Sequence, residues 1–129
     1  MSVPGISVLL VDDDSLIREC LMAYFEDEGF CVFSACSGEQ ALKLVAEIRP
    51  AVCISDLKLP GMNGDEFILA SHRLSPETRY MLHTGMLFSL TDELRATGMT
   101  VDDVLLKPVH DLSKLVRKIM NTVSSGRTV

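Results

Sequence analysis

Ala51-Val52-Cys53-Ile54-Ser55-Asp56-Leu57-Lys58-Leu59-Pro60-Gly61-Met62-Asn63-Gly64 joins an apolar run to an aspartate and a cluster of turn formers. Ala51–Ser55 reads as a continuous apolar run, the mark of a strand buried on both faces. Such strands occur in parallel sheets with a helical layer on each side. Asp56 ends the run, and the turn residues Pro60, Gly61, Asn63 and Gly64 follow it.

The segments on either side repeat the theme. Ile6–Val11 predicts a first strand, and Leu16, Ile17, Cys20, Leu21, Tyr24 and Phe25 then recur at helical steps. Gly29 suits the cap that closes this helix. Phe30–Ala35 predicts the second strand. Ser37 with Gln40 has the pattern of a capping box for a helix that carries Ala41, Leu42, Val45 and Ile48 inward and ends near Pro50. Beyond the decisive strand, Asp65–Leu74 predicts a helix and Tyr80–Thr84 a fourth strand. Ser89–Ala96 predicts a short, weakly patterned helix. A fifth strand within Val101–Leu106 is expected to start nearer Asp103, after the acidic pair. Asp111–Val123 predicts a last helix with Leu112, Leu115, Val116, Ile119 and Met120 inward. Five strand–helix units imply a doubly wound parallel sheet with helices on both faces.

Composition agrees with one domain. The chain has 129 residues, 47% hydrophobic and 23% charged, which is ordinary globular chemistry. A domain over residues 5–124 and a frayed tail over 125–129 are expected. Its 12 basic and 18 acidic residues give a net charge of −6, which argues against nucleic-acid binding through a basic surface. No apolar run is long enough to span a membrane, and the first residues lack the form of a signal peptide, so a cytoplasmic location is expected. Cys20, Cys31, Cys36 and Cys53 form no C-x-x-C, and His72, His83 and His110 are scattered. Zinc is therefore not expected, and the cysteines read as small, reduced core residues.

In a doubly wound sheet, chemistry sits at the carboxyl ends of the strands. Those ends carry Asp12, Asp13 and Asp14, then Asp56, then Thr84, then Lys107 before Pro108. With the strand order 2-1-3-4-5 they converge on one cleft. Clustered carboxylates stay ionised only beside a cation, and oxygen ligands alone select magnesium. A metal, an ammonium and a hydroxyl together suit a phosphoryl group. The chain has no G-x-x-x-x-G-K-[ST], so a bound nucleotide is not the expected phosphate. A carboxylate nucleophile is left, and Asp56, at the end of the buried strand, is the candidate.

From Ile6 to Val123 the chain resembles the receiver domain of two-component response regulators, of the stand-alone chemotaxis type. The resemblance rests on four stretches in order: Val8-Leu9-Leu10-Val11-Asp12-Asp13-Asp14, Asp56 to Gly64, Thr84-Gly85 and Leu106-Lys107-Pro108. It implies a flavodoxin-like (βα)5 fold and a phosphorylation-dependent switch rather than an enzyme, with limited self-catalysed phosphotransfer and dephosphorylation. Asp56 resembles the phosphoacceptor, served by a histidine kinase or a histidine phosphotransfer protein. Asp13 resembles the direct Mg2+ ligand and Asp12 its partner through water, with Asp56 and the Lys58 backbone carbonyl completing the protein's share. Thr84 resembles the hydroxyl that moves onto the phosphoryl group, and Lys107 the lysine that pairs with it. Pro108 is expected to follow a cis peptide bond. The output would be a partner protein or an effector domain, with no membrane contact.

Other readings compete. Asp14 is a helix cap or a spectator. The Lys58 side chain points to solvent or over the cleft, the former favoured. On a strand His83 faces away from Thr84 and reads as a partly buried structural histidine. Met62, Met81, Met86 and Met99 read as packing or loop residues. The family carries an aromatic three residues before the lysine, where this chain has Val104, so a rotating ring cannot carry the signal. After the last helix too few residues remain for an effector, which fits a single-domain receiver or a piece of a longer regulator. An aspartyl phosphohydrolase acting on small phosphate esters and a flavin-binding module are the alternatives. The first would want D-x-D-x-T after the first strand, and the second would want aromatic residues where Trp is 0.

Overall fold

The structure, a computed structural model, describes residues 5–107 and 111–127. Five parallel strands, β1 (Ser7–Val11), β2 (Cys31–Ala35), β3 (Val52–Ser55), β4 (Arg79–Thr84) and β5 (Val104–Leu106), pair in the order β2-β1-β3-β4-β5. The helices are α1 (Ser15–Asp27), α2 (Gly38–Ile48), α3 (Gly64–Leu74), α4 (Asp92–Arg95) and α5 (Leu112–Arg127).

Alternate residues of each strand point to opposite faces, so each face has its own core. Val8, Leu10, Val52, Ile54 and Met81 pack with Leu21 and Phe25 of α1 and Leu115, Val116 and Ile119 of α5. Leu9, Val11, Cys53, Tyr80 and Leu82 pack with Ala41 and Val45 of α2, Phe67 and Ile68 of α3, and Leu94 of α4. All four residues of β3 are buried, as the apolar run predicts.

The caps fix where the helices begin. Asp14 caps α1, its Oδ1 accepting the N–H of Leu16 at 3.0 Å and of Ile17 at 3.3 Å. Ser37 caps α2 by accepting the N–H of Gln40. Gln40 reaches back to the N–H of Cys36 rather than to that of Ser37, so the box is one residue wider than expected. Gly29, at φ +98°, closes α1 in the left-handed conformation that glycine adopts without cost.

Several expectations are corrected. Leu16 is 70% exposed and Cys20 is exposed, because the buried stripe of α1 runs Ile17, Leu21, Phe25 at steps of four and leaves both off its edge. Cys31 and Cys36 are also exposed, at the edge strand and the loop after it, so only Cys53 is a core cysteine. Burial pushes the Cys53 thiol far above its ordinary value and keeps it inert. The helix expected over Ser89–Ala96 shrinks to one turn, because Thr91 caps it by accepting the N–H of Leu94. The late start of the fifth strand is as expected: Val101–Asp103 is a 3-10 turn, the Thr100–Asp103 capping box takes the acidic pair out of the strand, and β5 starts at Val104. α5 continues to Arg127, into the expected tail, since propagating an existing helix adds a hydrogen bond per residue fixed. Met120 is 36% exposed, at the rim of the inward face of α5. Pro108, and with it the expected cis bond, lies outside the described residues.

Candidate phosphoacceptor site

Strand register assembles the site. Val11 pairs with Ser55, and Ser55 with Leu82, so the next residues Asp12, Asp56 and His83 stand side by side across β1, β3 and β4. Main-chain hydrogen bonds continue the ladders: the Asp56 N–H donates to Val11 O at 2.8 Å, and the Lys107 N–H donates to Thr84 O at 2.8 Å.

The acidic side chains meet as expected. Carboxylate oxygens of Asp12, Asp13 and Asp56 lie within 4.8 Å of one another. At 4.8 Å a charged pair repels by about 3.5 kcal/mol at an effective dielectric of ~20, and a closer pair repels more. Lys107 offsets part of this: its Nζ donates to Asp12 Oδ2 and to Asp56 Oδ2, both at 3.1 Å. The two side chains it joins are only 5% and 12% exposed. Burial pulls the ammonium down, but the hydrogen bonds and charges of Asp12 and Asp56 outweigh it and hold the group above its ordinary value. One ammonium against three carboxylates leaves negative charge over. The donor set is all oxygen, hard and acidic, which fits a divalent cation such as magnesium.

Neighbouring main chain completes the frame. The Asp12 Oδ1 accepts the N–H of Asp14 at 2.9 Å. Because Asp14 does the capping, Asp12 and Asp13 are free of that task. Thr84 is buried, and its Oγ1 accepts the N–H of Met86 at 3.1 Å, which holds the hydroxyl to the loop after β4. The side chain of Thr84 is on the α2–α3–α4 face with Leu82, whereas Asp12 and Asp56 follow Leu10 and Ile54 on the α1–α5 face. Lys58 is exposed, in accord with the solvated reading of its side chain. Among the described residues no N–H donates to its carbonyl.

Two residues that sequence reasoning left out of the site belong beside it. Arg18, from α1, donates Nη1 to the Asp12 main-chain oxygen at 2.6 Å. Its place four residues after the capping Asp14 was the available signal. His83 does face away from Thr84, yet the same alternation turns it toward Asp12 and Asp56. It is 6% exposed, and burial, then the Lys107 charge, pushes its pKa down to about 4 despite the opposing pull of Asp12.

The profile of the response regulator receiver domain matches residues 8–120. The chain belongs to the response regulator receiver family. It is 31% identical over 111 residues to "Regulator of RpoS" of Escherichia coli K12, covering 86% of this chain and 33% of that protein. It is 34% identical over 104 residues to "Cell cycle response regulator CtrA" of Brucella ovis, covering 80% of this chain and 44% of that one. The receiver thus spans less than half the length of these curated relatives. Among solved structures, a CheY-like receiver domain protein of Methanospirillum hungatei superposes with a TM-score of 0.79 at 26% identity, over 93% of this chain and 94% of its own. Chemotaxis protein CheY4 of Vibrio cholerae superposes with a TM-score of 0.75 at 30% identity, over 90% and 97%. The receiver is a signalling switch of two-component systems, and the phosphohydrolase reading gains no support from these likenesses. Among its described residues no helix is long and apolar enough to cross a membrane.

Proposed function

We propose that Asp56 is the phosphoacceptor of this receiver. The observation that carries the reading is the Asp56 carboxylate at the end of the buried β3, held at 3.1 Å by Lys107 and clustered with Asp12 and Asp13. An Asp56 oxygen attacks the phosphorus of a phosphohistidine on a kinase or phosphotransfer protein. The O–P bond forms, the N–P bond breaks, and its electron pair returns to the imidazole nitrogen. Asp13, Asp12 through water, Asp56 and the Lys58 carbonyl would hold Mg2+. Bound there, the cation neutralises phosphoryl oxygens as charge builds on them. Lys107 follows the charge from carboxylates to phosphoryl group. Attack of water on the phosphorus of the acyl phosphate later resets the switch in a limited self-catalysed reaction: a new O–P bond forms, the bond to the Asp56 oxygen breaks, and inorganic phosphate and the free carboxylate are released.

Phosphorylation draws the Thr84 hydroxyl from the Met86 N–H onto the new oxygens. The loop Gly85–Ser89 and the one-turn α4 then shift, and the surface of α4, β5 and α5 changes its affinity for an output protein or effector domain. Met86, Leu87 and Leu106 expose apolar side chains around Thr84, which suits a protein partner better than nucleic acid. The net charge of −6 supports the same choice, and the receiver is taken to work in the cytoplasm. Incubation with acetyl phosphate and Mg2+, followed by intact mass, tests the reading. One added phosphoryl group on the wild type and none on Asp56→Asn is the expected result.

A further inference from the structure

His83 lies where the site needs a donor, and nothing in the phosphoacceptor reading uses it. Leu10, Ile54 and Met81 belong to the α1–α5 core, so Asp12, Asp56 and His83, each two residues further along its strand, emerge on that face together. Across the sheet the row reads Asp12, Asp56, His83, Leu105, the last pair being direct ladder partners. A void of about 10 Å³ opens between Asp12, Asp56, Arg18 and His83, walled by Leu10, Val11, Leu21 and Ile54. Among the described residues the buried His83 Nε2 has no hydrogen-bond partner.

A buried ring nitrogen without a partner has lost its hydration and gained nothing in exchange. A void of this size takes a single water, provided that two to four polar groups hold it. The residues that line it carry such groups: His83, Asp12, Asp56 and Arg18. Carboxylates only accept hydrogen bonds. A water that accepts from Nε2–H keeps two hydrogens, one for each carboxylate.

We infer that His83 is a positioning residue of the acidic site, holding one buried water against Asp12 and Asp56 from the side opposite Thr84. Held so, the carboxylates keep their remaining oxygens turned to the cation and to the phosphoryl donor. Where cations gather at this site, His83 supplies the outer contact that orients the ligands. The inference rests on the reading of Asp12, Asp13 and Asp56 as the cation site, and it extends that site to a residue and a water outside its assigned parts.

The test compares wild type, His83→Leu and His83→Gln. Mg2+ affinity is followed by amide shifts, and phosphorylation by acetyl phosphate is split into its maximal rate and its half-saturating Mg2+. His83→Leu is expected to weaken Mg2+ about tenfold, with the larger effect on half-saturation, and His83→Gln to restore most of it. Equal affinity in His83→Leu and wild type, or no recovery in His83→Gln, overturns the inference. A high-resolution crystal structure of the wild type decides the water without any variant. Ordered density bonded to Nε2 supports it, and an unbridged Nε2 overturns it. A wild type that binds Mg2+ but gains no phosphoryl mass defeats the Asp56 phosphoacceptor reading, while the titrations still decide His83.

Discussion

Gly64 packs its α-carbon against the main-chain carbonyl of Asp56. A methyl group there would run into the Asp56 oxygen and crowd Leu57, and the Gly64 N–H donates to Leu57 O at 2.7 Å. The first residue of α3 thereby sets the backbone from which the Asp56 carboxylate projects. Gly64→Ala should cost about 1–3 kcal/mol, because backbone cannot yield as a side-chain tip does. Urea unfolding checks the cost. Phosphorylation of the folded fraction should fall with it, since Asp56 must move.

Asp13→Ala removes an exposed carboxylate from the cluster and leaves the Lys107 contacts intact. Mg2+ affinity should fall at least about tenfold with little change in stability, as losing one of few hard ligands affects the ion more than the fold. Calorimetric titration measures it, and unchanged affinity would place the cation elsewhere.

Lys107→Ala leaves Asp12 and Asp56 facing each other without their shared donor. Removing one partner of a fully buried ion pair costs about 3–5 kcal/mol, and this part-buried one costs less, so the variant should melt earlier, and saturating Mg2+ should restore much of the loss. The raised pKa of Lys107 sets the sign with pH. Its stabilisation is complete below the ordinary lysine value and is lost as pH rises through the higher folded value. Alkaline melts should therefore bring wild type and variant together. A constant gap at high pH would contradict the coupling.

His83 provides the acid-side counterpart. Its folded pKa of about 4 lies below the ordinary 6.5, so the unfolded chain takes up a proton first. The native state should lose up to about 3 kcal/mol from this group between pH 6.5 and 4, with no contribution above that window. His83→Leu lacks the group. Its stability advantage over wild type should grow as pH falls through the same range, measured as the difference between paired urea melts. A difference independent of pH would refute the assignment.

Val104, half-buried at the start of β5 and paired with Leu82, offers no ring to rotate when Thr84 moves. The response to beryllofluoride, a stand-in for the phosphoryl group, should therefore appear as altered hydrogen exchange across Gly85–Ala96. That segment contains only the one turn of α4, and weakly structured segments open at low cost. Protection changes confined to the residues around Val104 would sink this prediction.

The layered fold and the chemical groups at the strand ends are legible in local sequence. The unbroken apolar run before Asp56, the helical spacing of Ile17, Leu21 and Phe25, and the caps at Asp14 and Ser37 are local patterns, and local physics writes them plainly. Cys31 and Cys36 misled because apolar neighbours do not reveal that β2 is an edge strand. Ser89–Ala96 misled because the Thr91 cap competes with a longer helix. His83 was legible as facing away from Thr84 but not as facing Asp12 and Asp56, since alternation within one strand says nothing about its register with the next. That register comes from pairing across the assembled sheet. Hydrogen bonds between strands far apart in sequence set Asp12, Asp56 and His83 in one row and bring Lys107 within 3.1 Å of two carboxylates. Such distances depend on how both faces of the sheet pack at once, and no single stretch of chain encodes them.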